Sequence, residues 1–133
     1  LYLPVEVQGA LLSLGDGHAA QGDGECAGTA LECPMERVDL ALVLRKELPL
    51  TAPRARTPNG WLTFGFADGA EAAAAEALNH MLDFLGELTG QERKACLALA
   101  SAVVHVRITQ LVNGAVGAHA LLPHGIVDDA GFR

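Results

Sequence analysis

The sequence predicts an α+β fold: a β-rich first half, then two helices, then a β-hairpin. Three observations carry that expectation. Apolar residues in the first half recur at a period of two, those between 68 and 101 recur at helical spacing, and a β-branched run with an Asn-Gly turn closes the chain. Elements segregated in this order favour α+β over a doubly wound sheet.

From Leu1 to Leu14 the apolar residues are dense and broken by Pro4 and Gly9, which predicts a strand, a kink and a second short strand. A glycine-rich loop follows. Cys26 to Lys46 reads as a long β-like segment with a break or edge position at Pro34. Within it Val38, Leu40, Leu42 and Leu44 share one face, opposite Arg37, Asp39, Ala41 and Val43. Pro49, Pro53, Pro58 and Asn59-Gly60 predict loop and turn, with a short strand at 54–57. "WLTFGF" (61–66) is a strand by its aromatic content. Asp68 and Glu71 have capping-box spacing and open a helix whose apolar stripe is Leu78, Met81, Leu82 and Leu85, with Gly86 as its stop. Thr89 and Glu92 repeat the start signal for a second helix running to about Ser101. "VVHVRITQLV" is the clearest strand; Asn113-Gly114 supplies the positive φ angles of a tight turn, and "AVGAHALL" returns.

The 133 residues suit a single domain, 1–133, with a core large enough to need no staples. A net charge of −7 argues against nucleic acid or an anionic membrane as partner, because both need a basic footprint. Cys26, Cys33 and Cys96 are an odd set with no CxxC pair, which points to a reducing, cytoplasmic address. The alternation in the final hairpin offers an edge for a homo-oligomer.

The chemistry is concentrated in "GDGHAAQGDGE" (15–25). "GDGHAA" matches GxGxxA after an apolar strand, but a dinucleotide loop needs a helix opening at once. Gly22, Gly24 and Gly28 oppose one, at about 1 kcal/mol each. A metal site fits better. Asp16 and His18 are two apart, as are Asp23 and Glu25, and on extended backbone each pair would point to one side. Imidazole with carboxylate is the ligand mix of catalytic zinc or a similar divalent ion, with calcium as the second candidate. A solvated turn in which the acids cap the backbone is the competing interpretation, at even weight.

The same stretch resembles the signature of the acetamidase/formamidase family, "GD.H..QGDGE". The resemblance extends through "LYLPVEVQGALLSLGDGHAAQGDGE", "GWLTFGF", the alanine-rich helix ending "MLDFL", and "VRITQLVNGAVGAHALLP", in family order and over essentially the whole chain. It implies a sandwich-like β scaffold in the first half and hydrolysis of short linear amides, such as formamide or acetamide, to a carboxylate and ammonia. It also implies a polar site at Asp16, His18, Gln21, Asp23 and Glu25. Asp16 and His18 are the expected metal ligands; Glu25 is either a third ligand or the general base, beside Asp23 and Gln21 as catalytic groups. Family members are longer, and the match begins well inside them. The remainder is thus expected from a companion chain, or the chain is a truncated, non-catalytic oligomerisation domain.

Rival chemistries find little support. A Ser-Ser-Lys amidase needs two serines in a glycine-rich run, whereas Ser13 and Ser101 are far apart in sequence. Cys26 with Glu25 and Lys46 or Lys94 would need adjacent side chains to face one way, so the three cysteines are expected to be buried structural residues. His105 is expected at solvent or an interface and His80 at the edge of a helical stripe. His119 and His124 flank the last strand, with His119 close enough to the turn to approach a neighbouring loop. Trp61 and Phe64 read as sheet packing.

Overall fold

A computed structural model describes residues 1–129 and 131. Its elements are β1 (His18–Ala20), β2 (Leu31–Glu32), β3 (Arg54–Thr57), β4 (Gly60–Ala67), α1 (Ala70–Thr89), α2 (Arg93–Val103), β5 (His105–Gln110) and β6 (Val116–Pro123). β1 and β2 form a small antiparallel pair, and the other strands make one sheet in the order β3-β4-β6-β5. The class is α+β, as the segregated patterning predicts.

The core lies between this sheet and α1. β4 and β6 pair in unbroken antiparallel register from Gly60↔Pro123 to Ala67↔Val116. Side chains alternate, so Trp61, Thr63 and Gly65 share one face with Ala118, Ala120 and Leu122. α1 presses Ala73, Ala77, Met81, Phe84 and Leu85 onto that face, and all five are fully buried. Alanines on both surfaces let the helix come close. At Gly65 a Cβ would lie 2.2 Å from the Ala73 carbonyl oxygen, so only glycine fits. Trp61 meets Phe84 edge-on at 5.0 Å, and Arg54 stacks 3.9 Å above the same phenyl ring while its guanidinium donates to both oxygens of Glu87. Beyond the reach of β3, α1 completes the exposed rim of β4: His80 binds the Phe64 carbonyl and Glu76 accepts the Phe66 N–H.

The helix boundaries differ from the sequence expectation. α1 runs through Gly86 to Thr89, and Gly90 ends it in the left-handed region at φ 67°, its N–H returning to the Gly86 carbonyl. The Asp68–Glu71 capping box does not form, because Gly69 takes the cap position. Likewise Glu92, not Thr89, precedes α2, and Thr89 instead bonds the Leu85 carbonyl at 2.6 Å.

The larger departure is in the first half. The strands expected in residues 1–14 reduce to one bridge, in which Tyr2 and Arg54 exchange backbone hydrogen bonds of 2.7 and 3.0 Å. Of the β-like segment from Cys26 to Lys46, only Leu31–Glu32 joins a ladder. Residues 38–44 form no strand. Period-two patterning marks a segment able to enter a sheet, but a ladder also needs a neighbour, and this segment has none among the described residues. No described helix is long and apolar enough to cross a membrane.

Candidate functional site

The glycine-rich segment is shaped by β1 and β2 and anchored to the hairpin. β1 and β2 set His18 directly opposite Glu32, so the two side chains meet across the strands. His18 Nε2 is 3.1 Å from Glu32 Oε2 and 3.3 Å from Asp16 Oδ1. Asp16 reaches back because its backbone turns through the left-handed region, φ 59°, which aspartate tolerates better than most residues. Donor atoms of Asp16, His18 and Glu32 all lie within 4.8 Å of one another. The second oxygen of Glu32 is occupied, accepting from Thr29 Oγ1 at 3.1 Å and the Ala30 N–H at 3.4 Å.

Gln21 decides which ring nitrogen of His18 faces the carboxylates. The Thr109 carbonyl can only accept, so the amide nitrogen of Gln21 faces it at 3.4 Å and the amide oxygen faces His18 Nδ1 at 2.9 Å. Nδ1 therefore carries a hydrogen, and Nε2 points at Asp16 and Glu32. Left neutral, that corner would hold three lone-pair groups with nothing positive between them. A second proton on the ring or a cation resolves this. The Gln21 hydrogen bond raises the His18 pKa above its ordinary value; burial opposes it as the next largest influence, and the Glu32 and Asp16 carboxylates add further to the rise.

The anchor is Thr109. The β5–β6 register slips between Ile108 and Gln110, and Thr109 is the residue left out of the pairing. Its carbonyl accepts the Gly24 N–H at 3.2 Å as well as Gln21, and the Leu111 N–H returns to the Gly24 carbonyl at 2.8 Å. Gly24 makes this approach at φ 92°, where a side chain would be strained and its Cβ would sit 3.1 Å from Cys26 Sγ. The Thr109 hydroxyl pairs with His119 Nδ1 at 2.7 Å. Burial lowers the His119 pKa; Asp23 opposes that shift and Arg107 adds to it.

The structure brings together Asp16, His18 and Gln21 of the residues singled out in the sequence. Asp23 and Glu25 diverge, because positive φ at Gly24 and Glu25 breaks the extended backbone that would have aligned them. Asp23 faces Arg107 at 3.8 Å. Glu25 is 7% exposed and accepts from Asn113 Nδ2 at 3.2 Å, while Glu32 is the second carboxylate at His18. Sequence reading passed over Glu32, Thr109 and Asn113 as site residues. Only Asn113 carried a local signal, as the turn residue beside a strand; Glu32 enters through strand pairing that no local spacing reveals.

The remaining candidates resolve as follows. His105 is exposed, and His80 and His124 bind the backbone carbonyls of Phe64 and Thr57. Cys96 is buried as expected, but Cys33 is half-buried and Cys26 exposed, since the loop around Cys26 lies on the hairpin surface and not in the core.

A profile of the acetamidase/formamidase family matches residues 1–129. The crystal structure of an acetamidase from Bacillus halodurans is 33% identical, with a TM-score of 0.73, over 91% of this chain and 41% of its own. An acetamidase structure from Yersinia enterocolitica is 28% identical, with a TM-score of 0.68, over 80% of this chain and 32% of its own. The chain thus spans less than half the length of these two solved acetamidases. A comparison with curated proteins finds no match.

Proposed function

The chain belongs to the acetamidase/formamidase family, and on that premise we propose that it serves metal-assisted hydrolysis of short linear amides, of formamide or acetamide size, to a carboxylate and ammonia. The observation that carries this reading is the convergence of Asp16, His18 and Glu32 donor atoms within 4.8 Å, with the His18 tautomer set by Gln21. One imidazole and two carboxylates suit zinc, which takes mixed nitrogen and oxygen ligands and leaves a position open. They suit calcium less, because it prefers six to eight oxygens.

Asp16, His18 and Glu32 would hold the ion. A divalent ion bound there supplies Lewis acidity toward an amide carbonyl. Gln21 keeps the imidazole turned so that Nε2 faces the site, and the Thr109 carbonyl keeps Gln21 turned. Glu25, held by Asn113, is the carboxylate we assign to accept a proton, and Asp23 faces Arg107. The three unpaired cysteines fit a reducing compartment.

The test is zinc binding by calorimetry alongside ammonia release from formamide, before and after chelation and metal restoration. We expect one ion per chain, and His18→Ala to weaken binding at least about tenfold. Equal affinity in wild type and His18→Ala would remove the metal role. Zinc binding without ammonia release would remove the hydrolytic part of this reading and leave a metal-binding scaffold of the same family.

A further inference from the structure

The residue that anchors the His18 loop is itself tied to the middle of the sheet. Thr109 is left out of the β5–β6 pairing between Ile108 and Gln110, so the ladder alone does not set the direction of its peptide. Its carbonyl nevertheless takes two donors from the loop, the Gly24 N–H at 3.2 Å and Gln21 Nε2 at 3.4 Å. At its other end the hydroxyl meets His119 Nδ1 at 2.7 Å. His119 is half-buried on β6, in register with Phe64 of β4 on one side and Arg107 of β5 on the other. A side chain mounted on a strand paired along both edges is placed more precisely than one on a loop.

We propose that His119 is a positioning residue for the Asp16, His18 and Glu32 trio, acting through Thr109 and Gln21. The path from β6 to the His18 imidazole is three hydrogen bonds long. His119 holds the Thr109 side chain and with it the bulged peptide, and the peptide carbonyl orients the Gln21 amide. The amide oxygen, 2.9 Å from His18 Nδ1, then turns Nε2 toward the two carboxylates. An apolar residue at 119 would fill the same place on the sheet but offer the Thr109 hydroxyl no partner there, and the peptide could tilt away from Gly24 and Gln21. An effect on metal affinity rests on the metal role proposed above, whereas an effect on the loop does not.

The experiment uses the 133-residue chain with Thr109→Val, which keeps the shape and the carbonyl but loses the hydroxyl, and with His119→Leu, which loses Nδ1. Without metal, the Gly24 amide is expected to exchange at least about tenfold faster in each variant, with the α1 amides unchanged within about twofold. Calorimetry is expected to show zinc bound at least about fivefold more weakly by each. The double variant should fall no more than about twofold below the weaker single one, because both changes disable one device. Thr109→Ser keeps a hydroxyl and His119→Asn keeps a polar atom near the place of Nδ1, so both are expected to bind zinc within about twofold of wild type. Unchanged Gly24 exchange in both variants, an equal acceleration of the α1 amides, or zinc losses that multiply in the double variant would overturn the proposal. Should wild type bind no zinc, the metal role falls by itself, and Gly24 exchange still decides whether His119 holds the loop.

Discussion

Residues 54–129 and residues 1–53 are both rich in apolar side chains, yet they use them in opposite ways. In the first region they close on one another: Trp61, Met81, Phe84, Leu85 and Leu122 are all buried between α1 and the sheet. In the second, Leu11, Leu42 and Val43 stand in solvent. Hydrophobicity alone does not decide burial. The carboxy-terminal region carries a helix and a sheet whose faces match in spacing and size, whereas the amino-terminal region carries strand-like patterning with no second layer among the described residues. The Asp16, His18 and Glu32 trio, for which a metal role is proposed above, sits in the less self-sufficient region and is steadied by the other one, through Thr109.

The contrast is broken most directly by truncating one apolar residue on each side. Phe84→Ala removes a fully buried ring that contacts Trp61 and carries the Arg54 guanidinium. It should cost about 3–5 kcal/mol in urea unfolding, the usual range for a core phenylalanine. Leu42→Ala should change stability by no more than about 0.5 kcal/mol, as for a surface site. Comparable losses at the two positions would mean that the amino-terminal region is packed after all.

A smaller effect is expected where the two regions join. Gly24→Ala puts a side chain at φ 92° and a Cβ 3.1 Å from Cys26 Sγ. Backbone strain of that kind costs about 1–3 kcal/mol, and the loop can relieve it by lifting off Thr109. The expected readout is therefore a modest loss of global stability together with a clear loss of zinc affinity, because Gln21 and His18 move with the loop. Unchanged zinc affinity would show that the trio organises itself without the hairpin.

The same division explains what was legible in the sequence. α1, α2 and the β5–β6 hairpin were readable because local periodicity and the Asn113-Gly114 turn, with φ 69° and 79°, are settled within the segment itself. The ends of α1 were less so: Gly86 reads as the stop, whereas it is Gly90 that adopts the left-handed cap. The segment 38–44 carried a period-two pattern, but it forms no strand because no neighbouring strand pairs with it among the described residues. At the site, the Asp16–His18 spacing was informative because the two side chains do meet. The identical Asp23–Glu25 spacing was not, since Gly24 reverses the chain between them. Glu32 could not be found from spacing at all, for it arrives through pairing across β1 and β2.

The smallest expected effect is electrostatic and lies at the join itself. His119 on β6 is flanked by Phe64 of β4 and Arg107 of β5 in the register, and its Nδ1 is engaged by Thr109. Burial, reinforced by Arg107 and opposed by Asp23, holds its pKa below the ordinary 6.5. Folding thus favours the neutral ring. Above about pH 6.5 the ring is neutral in both states and stability does not depend on it. As pH falls below that value the unfolded chain takes up a proton that the folded chain resists, so stability declines until the folded ring also titrates. His119→Gln should flatten this slope below pH 6.5 and leave the region above it unchanged. His18, whose pKa is raised, acts on the other side of that boundary: it adds stability below about pH 6.5 that is lost as pH rises through its folded value. Urea unfolding from pH 5 to 8 in metal-free buffer separates the two, with about a tenfold excess of chelator over protein as the control for bound ion. A slope below pH 6.5 that survives His119→Gln would place the proton elsewhere, and would mean that the hairpin side of the join is more open to water than the Thr109 contact implies.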